Sequence, residues 1–167
     1  MAQADGPGRP RLACALPGAA PGLAYALTFL AFLVHNISEL VEGLPGWAAA
    51  RGVPVTQGQY ANAIAILTLA AGVLLLIGRA VPFARPLQIL TAVLTGALLA
   101  NVVSHAVGSL VTATAMPGLW TALALVLPSA AWLLLRLPLP ARDKTLSGLA
   151  GALAMPLFAG AALLIAA

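Results

Sequence analysis

Charge is what this sequence has least of. Only 7% of its 167 residues are charged, eight Lys/Arg against four Asp/Glu. An ordinary soluble domain carries about 25%. With 62% of residues hydrophobic and a mean hydropathy of +1.03, a water-soluble globule of this length could not cover itself. The same apolar excess excludes disorder. Cysteine is nearly absent as well. Cys14 is alone, so no internal disulfide can form, and it precedes the first apolar run instead of following one, unlike a lipobox cysteine. A pI near 10.3 would suit a nucleic-acid binder, but the basic residues sit in short segments between apolar runs and form no single patch. No nucleic acid is expected as a partner. No phosphate-binding glycine loop, dinucleotide fingerprint or nucleophile elbow occurs.

What is present is a series of apolar runs, each long enough to cross a bilayer core at about 20 residues per span. The fold class expected is all-α, a polytopic membrane bundle of about five helices over 23–42, 59–77, 87–112, 119–137 and 146–167. These make one domain, 23–167. Residues 1–22, rich in Gly, Pro, Ala and Arg, read as a flexible cytoplasmic tail. The breaks fall at Gly43-Leu44-Pro45-Gly46, at Gly78-Arg79 followed by Pro82 and Pro86, at Met116-Pro117-Gly118, and at Pro138 and Pro140. Residues 43–58 read as the longest loop, with Trp47 at the interface. Pro128 predicts a kink, and Gly148, Gly151, Ala152 and Gly160 predict close packing of the last helix. With the N-terminus inside, Arg9, Arg11, Arg79, Arg85, Arg136, Arg142 and Lys144 lie on the inner side and only Arg51 on the outer side. That bias predicts a multi-pass protein of the cell membrane, N-terminus cytoplasmic and C-terminus out.

The scarce ionisable groups are not scattered. At about 100° per residue, His35 and Glu39 share a face of the first span, and Glu42 continues the stripe. Ser38 flanks it and Asn36 points elsewhere. In the third span Asn101, His105, Gly108 and Thr112 share a face with Ser104 beside it. The second span begins at the same depth with Gln59, Tyr60 and Asn62. Three helices thus place polar residues near one end of the bundle, while their other halves carry almost none. An acidic residue at mid-helix costs roughly 2.5–3.5 kcal/mol on insertion scales, so it persists only when paired, facing a cavity or binding something. His35, Glu39 and His105 are therefore the candidate catalytic residues. They form an acid/base set, and equally a ligand set for one divalent metal such as zinc or iron, with Glu42 supporting. Ser38, Asn62, Asn101 and Ser104 are expected to support them by hydrogen bonding.

These residues resemble the bacterial membrane family named for its HXXEE motif. The resemblance rests on His35-Asn36-Ile37-Ser38-Glu39, then Pro45 and Trp47, then Asn101-Val102-Val103-Ser104-His105, and on Pro117-Gly118-Leu119-Trp120-Thr121 with Pro128. It covers about residues 24–137. Ser38 stands where the motif has its first Glu, and Glu42 one turn later is the candidate replacement. The resemblance implies a site and no established reaction. A looser similarity, in span number and in the His35/Glu39 spacing, is to the membrane sterol isomerases related to emopamil-binding protein. Three functions follow from the residues. One is a membrane-embedded isomerase, cyclase or hydrolase for a lipophilic small molecule. The second is a metal- or proton-binding protein or small transporter. The third is a structural membrane protein whose polar cluster is helix glue. The lipid bilayer is the partner common to all three.

Overall fold

The computed structural model describes residues 22–167; the tail expected over 1–22 lies, but for Gly22, outside the described residues. The described chain is helical throughout. Its helices are α1 (Gly22–Val41), α2 (Leu44–Ala49), α3 (Gln57–Ala80), α4 (Arg85–Thr112), α5 (Leu119–Arg136) and α6 (Ala141–Ile165). All but α2 are long and apolar enough to cross a membrane. The expected five-span helical bundle is therefore the architecture found. Most spans run a few residues longer than the hydropathy runs because helices continue into their caps. The segment 43–58 is not all loop: Gly43, at φ 81, ends α1 in the left-handed conformation, and Pro45 then starts α2 within the first turn.

The burial pattern suits hydrocarbon rather than water. On α1 the buried positions include Tyr25, Thr28, Phe32, His35 and Glu39. The exposed ones are Leu23, Leu27, Leu30, Val34, Ile37 and Val41, an apolar stripe at steps of three and four. Leu110, Val111, Leu153 and Leu164 are each about four-fifths exposed. The interior meanwhile buries Thr28, Asn36, Gln88, Thr91, Thr95 and both histidines. Apolar surface on that scale is stable only against lipid or a partner.

Two polar knots tie α1, α3 and α4 together, one toward each end. The Tyr25 hydroxyl donates to Gln88 Oε1 at 2.7 Å, and Gln88 Nε2 donates to the Gly78 carbonyl at 2.9 Å. This corrects the expectation that these halves hold almost no polar groups. Tyr25 and Gln88 each stand about one turn into their helices, yet Gln88 is 1% exposed. The second knot, at the far end, contains Glu39. In α5, Pro128 has no N–H to give to the carbonyl four residues back, and the preceding turn, Ala122–Val126, opens to π-helical spacing. Where a kink is expected at Pro128, the helix carries this π-helical turn.

Small residues let α4 and α6 meet backbone to backbone. A methyl group at Gly96 would collide with the Gly148 carbonyl, and one at Gly151 with the Val93 carbonyl. Gly160 meets nothing within 4 Å, so only the first two of the three expected glycines pack. Gly151→Val should therefore lower stability by about 1–3 kcal/mol through overpacking. Gly160→Val should stay within about 0.5 kcal/mol. Thermal melting of the detergent-solubilised protein compares them, and equal melting points would contradict the backbone contact.

Candidate functional site

The second knot is built from the C-terminal halves of α1 and α4 and the first turns of α3 and α5. Helical spacing stacks His35 and Glu39 on α1. Thr56 caps α3 by accepting from the Gln59 N–H at 3.1 Å, which sets Tyr60 in the first turn. Gly118, at φ 85, starts α5, a backbone conformation that favours glycine. It brings Thr121 down onto α1.

Glu39 is the centre. Its Oε1 lies 2.8 Å from His105 Nε2 and 3.3 Å from His35 Nε2. Its Oε2 accepts the Tyr60 hydroxyl at 2.6 Å. His35, Glu39 and His105 are 0%, 5% and 1% exposed, so this is a desolvated cluster in which every partner counts. The two imidazoles meet edge to face, ring centres 4.8 Å apart. His35 Nδ1 lies 3.1 Å from Thr121 Oγ1, and its Nε2 lies 2.9 Å from Asn101 Nδ2. Thr121 also donates to the Gly118 carbonyl at 3.0 Å and touches Ser38 Oγ at 2.6 Å. With its proton on Nδ1, His35 donates to Thr121 and accepts from Asn101 at Nε2; with its proton on Nε2, it donates to Glu39 instead.

His105 is different. With Nε2–H given to Glu39, its Nδ1 keeps a lone pair, and this atom is buried with no hydrogen-bond partner. A buried acceptor left alone forfeits about 1–3 kcal/mol, so it calls for an explanation.

The chain folds tightly over the cluster. A methyl group at Gly118 would sit 2.7 Å from Glu39 Cγ, 3.0 Å from His35 Cε1 and 3.3 Å from His105 Cε1. The segment carrying Gly118 is pinned by Glu42, whose Oε2 accepts the Gly118 N–H at 2.8 Å. It is also pinned by Met116 N–H on Ser109 Oγ at 2.9 Å and by Arg51 on Thr114 at 3.1 Å. Trp47 of α2 stacks under the Arg51 guanidinium at 3.8 Å and packs, with Met116, near Gly108.

The sequence-derived set divides accordingly. His35, Glu39, His105, Asn101 and Ser38 are brought together. Glu42 is exposed and holds the covering segment, so it does not join the cluster as a ligand. Asn62 is exposed and lies outside the site, because two residues from Tyr60 turn it about 200° away on the helix. Gln59 donates to the Leu163 carbonyl on α6 at 3.0 Å. Ser104 bonds its own helix at the Asn101 carbonyl, 2.7 Å. Asn36 donates to Thr68 on α3 at 2.6 Å. Sequence reasoning placed Tyr60 at this depth, as an interfacial anchor or a residue of the site mouth, and gave Thr121 and Gly118 no part in the site. Their shared depth at the starts of α3 and α5 is the signal that could have found them.

The network makes a stability prediction. Tyr60→Phe strips Glu39 Oε2 of its donor in a desolvated place and should cost about 1–3 kcal/mol, whereas Asn62→Ala should stay within about 0.5 kcal/mol. Melting of the two variants in detergent decides it, and a silent Tyr60→Phe would break the assignment.

Among known proteins, no curated sequence and no solved structure matches the chain. A family model does: that of the proteins of unknown function with an HXXEE motif, matched over residues 26–133. That stretch contains His35, Glu39, Tyr60, Asn101, His105 and Thr121, and it spans more than half of the chain. The protein belongs to the HXXEE family.

Proposed function

We propose that this membrane protein is an enzyme acting by acid/base chemistry on a lipophilic small molecule inside the bilayer. The observation that carries this reading is the buried, unpartnered Nδ1 of His105, in a ring whose other nitrogen is held by a carboxylate. A carboxylate on one side of an imidazole fixes the tautomer and steadies the charge that appears when the other side takes a proton. His105 is the proton acceptor in this reading. Glu39 orients and balances it, and Tyr60 and His35 hold Glu39. A base set in an apolar interior suits isomerisation, cyclisation or hydrolysis of a substrate that enters from lipid. The cover over Gly118 would have to move for such a molecule to reach Nδ1.

A second reading has its own observation. His35, Glu39 and His105 each offer a ligand atom, all within 4.8 Å of one another. Tetrahedral zinc at the usual bond lengths separates its ligand atoms by about 3.3 Å. The His35–Glu39 pair is already at 3.3 Å, and the His105–Glu39 pair at 2.8 Å would have to widen. As it stands, the shorter distance is that of a hydrogen bond.

The bundle is oriented with its N-terminus cytoplasmic and its C-terminus outside, on the strength of the Lys/Arg asymmetry. This places the His/Glu/His knot toward the extracytoplasmic leaflet of the cell membrane. A C-terminal alkaline phosphatase fusion should be active and a C-terminal fluorescent protein dark; the opposite pair of results reverses the orientation.

The acid/base reading is tested on protein labelled with ¹⁵N-histidine in nanodiscs. One imidazole should show a protonated Nε2 and a bare Nδ1, and Glu39→Gln should erase that asymmetry. Lipid extracts of expressing cells should hold a converted species that Glu39→Gln and His105→Gln both abolish while remaining folded. A fully active Glu39→Gln removes Glu39 from the chemistry. Stoichiometric zinc or iron in the purified protein, lost in His35→Ala and His105→Ala, would favour the metal reading instead.

A further inference from the structure

Beyond the polar site, α1 and α3 leave a groove between them of about 590 Å³. Its walls are almost wholly apolar and include Tyr25, Phe29, Leu69, Gly72 and Val73. Leu69 and Leu76 on its rim are 70% and 66% exposed, so the groove opens outward, toward the surroundings of the bundle. Phe29 lies directly on Gly72: a methyl group there would come within 2.8 Å of its ring. The absent side chain at Gly72 is what lets Phe29 pack there.

The two ends differ. At one end stands Thr68, its hydroxyl occupied by Asn36. At the other stands Arg79, exposed and without an ion pair among the described residues. The described acids are already committed: Glu39 to the histidines, Glu42 to the Gly118 N–H, and Asp143 to Arg85 at 2.8 Å. From Arg79 to Thr68 the helix rises about 16 Å, close to half of a hydrocarbon core about 30 Å thick. A second groove, of about 580 Å³, runs along α1 and α5 past Leu30, Val34 and Trp132, and has no charged residue in its lining. Of the two, the first combines an apolar trough one leaflet deep with a cation that has no ion pair among the described residues.

We infer that the α1–α3 groove is a binding site for one anionic phospholipid, its head group on Arg79 and an acyl chain lying along Phe29 and Gly72 as far as Thr68. A guanidinium is suited to this, since its fork of donors matches a phosphate. The inference does not rest on the acid/base reading of the His/Glu/His knot.

Native mass spectrometry of the full chain, released from detergent after titration with phosphatidylglycerol or phosphatidylcholine, tests it. One phosphatidylglycerol should be retained per chain, about fivefold over phosphatidylcholine, the factor given by about 1 kcal/mol between one basic residue and an anionic lipid surface. Arg79→Gln should abolish the preference, Arg79→Lys should keep most of it, and Arg136→Gln, elsewhere on the bundle, should leave it intact. Val73→Trp, which fills the trough, should lower retention of both lipids. Melting points confirm that each variant is folded. Equal retention of the two lipids, a preference that survives Arg79→Gln, or undiminished retention in Val73→Trp would overturn the inference.

Discussion

A carboxylate inside an apolar bundle must find partners, and the arrangement at one end of this protein follows from meeting that demand. Glu39 cannot be satisfied by its own helix. His35, one turn back, reaches only one oxygen, at 3.3 Å. The remaining demand recruits α4 through His105 and α3 through Tyr60. Three helices are thereby fixed in rotation and depth. Exchanging Glu39 for an apolar residue would remove the burial cost and also the reason for that register. Buried polar groups of this kind define a register more surely than they add stability.

Much of this was legible in the sequence because scarcity makes a polar residue visible. His35 and Glu39 follow from the four-residue spacing. His105 and Asn101 follow from depth, since α1 and α4 run in the same direction and both carry their polar residues near the C-terminal end. Tyr60 was legible in depth but not in role, because a tyrosine near a span end is equally an interfacial anchor and composition cannot tell these apart. Asn62 was misassigned for a geometric reason: once Tyr60 faces Glu39, a residue two positions on must face away. Gly118 and Thr121 were hidden by the breaker signal at Pro117-Gly118, which marks where a helix ends without saying what the next one covers. Gln88 and Tyr25 were lost because a polar residue near a span end is expected to meet water, and here they meet each other.

Packing elsewhere depends on small residues rather than polar ones. The α4–α6 contact is made by glycine backbones. In lipid, helices gain nothing from hiding leucine from leucine, and close approach is the main attraction available. The outer surface accordingly keeps its leucines and the contact keeps its glycines. The structure therefore uses two devices side by side: hydrogen-bonded knots that specify which helices meet and at what height, and glycine seams that bring them into van der Waals contact.

These devices leave the α1–α3 seam unevenly held. At one end Glu39 bonds Tyr60 directly; at the other Gln88 bridges Tyr25 to the Gly78 carbonyl. Tyr25 and Glu39 are about 21 Å apart along α1. Between the knots the Asn36–Thr68 bond and the Phe29–Gly72 contact cross the seam, and beside them the groove opens. Hydrogen-bonded ends with an apolar middle allow the middle to admit a lipid chain while the register stays fixed. The His/Glu/His cluster is held shut differently, by backbone laid over it and tethered through Glu42, an exposed side chain. A tether at the surface can release without disturbing the buried knot beneath it. Opening this site costs at least the hydrogen bonds that hold the covering segment, about 0.5–1.5 kcal/mol each and more for the one to a charged carboxylate.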